Sequence, residues 1–201
     1  MNTRTQWTEK IRDGFAPLQR KSVPRYQATE QFRVYSSTLV PGLLQIEQYA
    51  VAVLRIAASF RGRPTSESTD AARARVERSR VIDEPGHQFD FVVEESVLYS
   101  RVAADDVMSA QLNHVLAAGD LPGVSIGIIP TATRERVHWT EETFHVFDAK
   151  IVTVELVSAE LEVTQPDEIA LYVRAFDRLG SMAVHGADAR ALVLRAIEAL
   201  H

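Results

Sequence analysis

The chain has 201 residues, 46% hydrophobic and 24% charged, a composition that suits one ordinary globular domain with appendages. Its 22 Lys and Arg stand against 27 Asp and Glu, and the net charge of −5 opposes general phosphate binding, so a nucleic-acid role needs a local basic patch that the dispersed arginines do not supply. The absence of cysteine excludes disulfides, thiolate metal sites and a cysteine nucleophile. The polar start, Met1 to Trp7, is no signal peptide, and no apolar run approaches the roughly 18 residues of a membrane span, so a soluble cytoplasmic protein without membrane contact is expected.

In chain order, Trp7, Ile11, Phe15 and Leu18 fall at helical spacing and predict one short docked helix, followed by a connector containing Pro24. Residues 1–30 are therefore set apart from a body at 31–201. Phe32 and Val34 alternate with Arg33 and Tyr35 as a short strand. Pro41-Gly42 precedes an amphipathic helix with Leu43, Ile46, Ala50, Val53, Ala57 and Phe60 on one face, ended by Gly62 and Pro64. A second helix is predicted from Thr69 to Asp83. Phe89 to Val93 reads as a strand, Asp105 to Ala118 as a helix, and Val124 to Ile129 as a buried strand closed by Pro130. That order permits a parallel crossover.

Thr143–Asp148 and Ile151–Val157, separated by Ala149 and Lys150, predict an antiparallel hairpin. Pro166, Asp167 and Glu168 suit a helix start, after which Ile169, Val173, Phe176 and Leu179 form a stripe. A last helix carries Leu192, Leu194, Ile197 and Leu200. The expected fold is α/β (α+β): a mixed sheet of about five strands packed with helices, helical at both ends.

The blocks Phe32-Arg33-Val34-Tyr35, Leu39-Val40-Pro41-Gly42-Leu43-Leu44-Gln45 and Glu47-Gln48-Tyr49-Ala50 carry a family resemblance. So do Arg75-x-x-Arg78, Glu94-Glu95-x-x-Leu98, Gln111-Leu112, Val124 to Pro130, and Phe144 with Glu155, in the same order. From Trp7 to Leu200 the sequence resembles the C-terminal domain of unknown function that follows an Xre-type helix-turn-helix in antitoxin-like transcriptional regulators. It departs from that pattern at Ser79, where Gln is usual, at Thr153, where Tyr is usual, and at Thr131 to Arg136, which replaces a Gly-rich loop. The roughly thirty residues before Gln31 are too few for a helix-turn-helix bundle, so direct reading of DNA is not expected of this chain. Its initial Met favours a natural start.

Several residues carry chemistry in this frame. Gln45 and Tyr49, one helical turn apart, either line a pocket or form a polar rim. Pro41-Gly42 reads first as turn geometry. Glu94 and Glu95 follow an apolar strand; they are either an acid–base pair or, the favoured reading, partners of Arg75 and Arg78 in a structural ion network. His138, His145 and Glu155 are the one set with metal-binding chemistry, but no His-x-His or His-Glu-x-x-His spacing accompanies them, and no metal or cofactor is expected. His87, His114, His185 and His201 read as surface residues. Phosphate-loop, dinucleotide and nucleophile-elbow motifs are absent from the sequence.

Two readings stand. The first is a non-catalytic module that binds a small molecule or a protein partner, such as a helix-turn-helix relative, through Gln45, Tyr49, Arg75, Arg78, Glu94, Glu95, His138 and Glu155, with a homodimer left open. The second is a small-molecule enzyme of a biosynthetic pathway recruited from the same scaffold, with Glu95 as base beside His138 and Glu155.

Overall fold

A computed structural model describes residues 1–200. It contains one mixed sheet of seven strands in the order β1-β7-β6-β5-β2-β3-β4. The strands are β1 (Thr3–Gln6), β2 (Gln31–Ser36), β3 (Gln88–Glu94), β4 (Val124–Ile129), β5 (Phe144–Phe147), β6 (Ile151–Glu155) and β7 (Ala159–Val163). Strands β2, β3 and β4 are parallel; the others pair antiparallel. The helices are α1 (Trp7–Lys10), α2 (Phe15–Lys21), α3 (Val23–Ala28), α4 (Glu47–Phe60), α5 (Ser68–Ser79), α6 (Asp105–Ala118), α7 (Pro166–Gly180) and α8 (Gly186–Glu198). No described helix is long and apolar enough to cross a membrane.

The parallel trio is built from short apolar runs that can be buried on both sides. Its connections are α4 with α5 between β2 and β3, and α6 between β3 and β4. On the first face of the sheet, Phe32, Val34, Phe89, Phe91 and Val93 pack with Leu43, Leu44, Tyr49, Met108, Leu112 and Leu192, which α4, α6, α8 and the turn before α4 supply. On the second face, Tyr35, Val92, Phe144, Val146, Val152, Val154 and Val163 pack under α7 through Ile169, Phe176 and Leu179. A third cluster, Trp7, Ile11, Phe15, Leu54, Ala58, Ala71 and Ala72, binds α1 and α2 to α4 and α5.

The hairpin between β5 and β6 turns through Asp148 and Ala149, both at positive φ (51° and 50°), the twist that matches right-handed strands. Asp148 Oδ1 accepts the N–H groups of Glu30 (2.9 Å) and Gln31 (2.8 Å), fixing this turn to the start of β2.

Three expectations change. The sheet has seven strands, not about five, because β1 and β7 join it at the antiparallel edge. The first thirty residues are not one helix and a connector: they form β1, α1, α2 and α3. Thr3–Gln6 has no apolar alternation, since an edge strand with exposed side chains needs none, and its signal lies wholly in backbone pairing. The predicted helix at Leu43 begins instead as a 3-10 turn over Gly42–Leu44, and α4 starts at Glu47.

Candidate functional site

Across the first face, the register lines side chains up in rows. One row runs Phe89, Phe32, Phe147, Ile151 and is apolar throughout. The next runs Phe91, Val34, His145, Thr153, Glu162, Thr3, and turns polar beyond β2. In the third, Val93 and Ser36 on β3 and β2 are followed on β6, β7 and β1 by Glu155, Glu160 and Thr5. The same face of one sheet is thus greasy under α6 and α8, and beyond the Phe147–Ile151 row it is polar over β5, β6 and β7. Helices α1, α3 and α5 bring basic side chains to that polar half. Lys10 pairs with Glu160, and Arg25 with Glu162 at 2.6 Å. Burial holds the Lys10 ammonium below its ordinary value.

Arg75 and Arg78, three residues apart on α5, share one side of that helix. Arg75 donates Nη1–H to Gln45 Oε1 at 2.8 Å, and its Nε is buried without a partner. The Arg78 guanidinium lies 4.4 Å from the Tyr26 ring centroid, with its own Nε buried and unpartnered. Among the described residues, neither arginine meets a carboxylate within ion-pair distance. Burial, then the neighbouring Arg78 charge, pulls the Arg75 pKa down to about 10. Burial, then Arg78 and Arg75, pulls His145 down to about 4. His145 therefore faces the two guanidinium groups as a neutral imidazole.

The segment from Val40 to Ile46 holds this arrangement. Val40 N–H donates to the Tyr49 hydroxyl (3.3 Å), and Gln45 Nε2 donates to Val40 O (2.7 Å), so both polar groups of one residue are taken by motif side chains. Gln111, fully buried on α6, accepts Ile46 N–H (2.9 Å) and donates to Leu44 O (2.6 Å). The Ser79 hydroxyl has two backbone acceptors for its one proton, Arg75 O at 2.9 Å and Gly42 O at 3.2 Å. Gly42 lies so near Arg78 that a Cβ there would stand 3.5 Å from Nη2. Gln45 is extended and lies outside α4, not one turn below Tyr49 on it; both are buried supports, not an exposed rim.

The ion network expected between the arginines and Glu94–Glu95 does not form. Glu94 is on the second face, alternating with Val93 on the first, so the sheet itself stands between them. Glu94 takes a bidentate pair from Arg136 (2.6 and 3.1 Å) and the Tyr35 hydroxyl proton at 2.9 Å. Burial and then that hydrogen bond raise the Tyr35 pKa, and the Glu94 bond raises that of Arg136. Glu95 Oε2 accepts both the N–H and the hydroxyl of Thr131 at 2.7 Å.

His138 Nε2 lies 3.1 Å from Glu141 Oε1 without a hydrogen bond to it, and its ring stacks on Trp139. Arg136 Nε donates to its carbonyl at 3.1 Å, which keeps it with the Glu94 group. Glu155 stands three strands away from Glu94, about 14 Å at 4.8 Å per spacing. The residues named for a catalytic set, Glu95, His138 and Glu155, are thus divided between two places. Among the described residues, no three His, Cys, Asp or Glu side chains group to hold a metal ion. His87 is half-buried, bonded to Thr29 O at 2.6 Å, and His201 lies outside the described residues. Sequence reasoning missed Tyr26 and Arg136: neither stands in a readable motif, and only the α3 helix and the loop after β4 put them in place.

The profile of a domain of unknown function, DUF5753, matches residues 23–195. The chain belongs to that family. The match takes in Tyr26, the Val40–Ile46 segment, both arginines, His145 and Glu155, and stops short of Lys10. No protein of curated function is similar to the chain in sequence. Among solved structures, NucT from Helicobacter pylori superposes with a TM-score of 0.50 at 9% identity, covering 92% of this chain and 99% of that one. Nuc from Salmonella typhimurium, a phospholipase D family member, gives 0.49 at 10% identity over 92% and 97%. The archaeal chromatin protein TrmBL2 gives 0.40 at 10% identity over 92% and 52%. At such identity the likeness to NucT speaks to the fold alone.

Proposed function

We propose that this DUF5753 chain is a non-catalytic ligand-binding module of antitoxin-like transcriptional regulation, and that its ligand is a small organic anion received by Arg75 and Arg78. One observation carries the reading: two adjacent, partly buried guanidinium groups with unpartnered Nε atoms and, among the described residues, no carboxylate within ion-pair distance. Buried charges in proteins are paired or they serve a ligand, and a guanidinium fork matches a planar carboxylate or a phosphate. The supporting shell of Gln45, Tyr49, Ser79 and Gln111 is spent on backbone groups or on Arg75, so it holds the arginines and leaves their remaining donors open.

The regulatory context rests on the family resemblance of the Val40-to-Gln45 block and the motifs after it. The module acts through a DNA-binding partner, with a helix-turn-helix relative as the natural candidate. An enzyme built around Glu95 is disfavoured by the way both Glu95 hydrogen bonds go to Thr131.

The test is thermal unfolding of the chain with a panel of small carboxylates and phosphates, beside an Arg75→Met/Arg78→Met double variant. At least one anion raises the Tm of the parent and leaves the double variant unmoved. An equal response from both proteins, or none from the parent, ends this reading. A two-hybrid screen against related helix-turn-helix regulators tests the partner, and a blank screen counts against it.

A further inference from the structure

The arginine pair is one end of the polar half of the first face; Glu155 marks the other. Its neighbour Val154 is buried on the second face, so Glu155 points to the first, the same side as His145 and Thr153. It stands opposite Glu160 on β7. Of the three glutamates there, Glu160 is neutralised by Lys10 and Glu162 by Arg25, whereas Glu155 has no ion pair or hydrogen bond among the described residues. It is exposed, at the open rim of the layer. Its charge still reaches inward, acting on both Lys10 and Arg75. Between the two ends lie His145, uncharged at neutral pH, and Thr153, which offer hydrogen bonds but no net charge.

We infer that the ligand is a zwitterion, with a carboxylate held by Arg75 and Arg78 and an ammonium group turned to Glu155. This rests on the anion-binding reading above and narrows it. A simple carboxylate seated on the arginines feels the unpaired negative charge of Glu155, whose field reaches Arg75, and that repulsion weakens it. An aminocarboxylate of matching length turns the repulsion into attraction. The neutral imidazole fits this division: a protonated His145 between the two ends would repel the ammonium.

The experiment is calorimetric titration of the full chain with aminocarboxylates of increasing length, glycine to ε-aminohexanoate, and with the matched carboxylates acetate to hexanoate. Each is repeated on Glu155→Gln and on Arg78→Met. At least one aminocarboxylate binds the parent about tenfold or more tighter than its matched carboxylate, a difference of about 1.4 kcal/mol. Glu155→Gln removes that preference, and Arg78→Met weakens both series. If carboxylates bind the parent as well as aminocarboxylates do and Glu155→Gln changes neither, the zwitterion is wrong while the arginine site stands. If neither series binds the parent, the zwitterion is wrong, and the arginine site then stands or falls on the phosphates of the thermal-unfolding panel.

Discussion

The two faces of the sheet each carry a cluster of charge, and the clusters differ in what they leave over. On the second face, Glu94, Arg136 and Tyr35 close on one another: both carboxylate oxygens accept a guanidinium donor, and one also takes the hydroxyl proton. On the first face, Arg75 and Arg78 are held by Gln45 and by the Tyr26 ring, with no carboxylate among the described residues within ion-pair distance. Similar residue types therefore do opposite things. A closed set ties a loop to a strand and has nothing further to bind; an open set leaves desolvated donors that a neutral amide and an aromatic ring offset only in part.

The closed set breaks hardest. Arg136→Met keeps the bulk of the side chain and removes the charge, leaving buried Glu94 with the Tyr35 hydroxyl alone. Loss of about 3–4 kcal/mol is expected, the cost of stranding one half of a buried pair, read as a fall in the urea midpoint. A loss under about 1 kcal/mol would mean the loop relaxes to hydrate Glu94, and the contrast between the faces would weaken. Gln111→Leu comes next. It fits the volume but strands Leu44 O and Ile46 N–H, for about 2–3 kcal/mol. Because those groups anchor the segment that carries Gln45, ligand response should fall with stability.

How much of this was legible beforehand depended on where each signal lies. The strands Val124–Ile129 and Gln88–Glu94 and the helix Asp105–Ala118 announce themselves by periodicity and by Gly119 and Pro130 at their ends. Strand β7, Ala159–Val163, alternates Ala159, Leu161 and Val163 with Glu160 and Glu162, yet no element is predicted for that segment. The motif residues Gln45, Tyr49, Arg75 and Arg78 do meet, yet spacing alone could not choose their partners. An acid and a base look matched in a sequence whichever side of a strand they leave from. Glu94 and Val93 differ by one residue and by a whole sheet face. Tyr26 could not be foreseen, because its role depends on α3 folding over Phe147, with the two rings 5.7 Å apart.

The open set sharpens under acid. His145 is held near 4 in the folded chain against an ordinary 6.5, so the unfolded chain takes up a proton at higher pH than the folded one. Its contribution is complete above about pH 6.5, declines as pH falls through that window, and is gone below about pH 4. The loss is on the order of 1–2 kcal/mol after allowing for partial exposure of the ring. Urea unfolding at about pH 7 and about pH 4.5 should show a smaller difference for His145→Gln than for the parent. Equal differences would mean that neither burial nor the arginine charges hold His145 down.

Arg78→Met is expected to move stability least. It gives up a cation–π contact worth about 0.5–1 kcal/mol with Tyr26, and it also removes a guanidinium whose buried Nε has no partner and whose charge opposes Arg75. These terms oppose each other, so the net change should stay within about 1 kcal/mol of zero, against 3–4 for Arg136. With Arg78 gone, the Arg75 pKa rises from about 10, because one of the two causes holding it down is removed. A single arginine keeps weak anion response, so affinity should drop by tenfold or more while the urea midpoint holds. A variant that lost several kcal/mol would show that Arg78 is as structurally committed as Arg136, and the difference between the two faces would then be one of appearance.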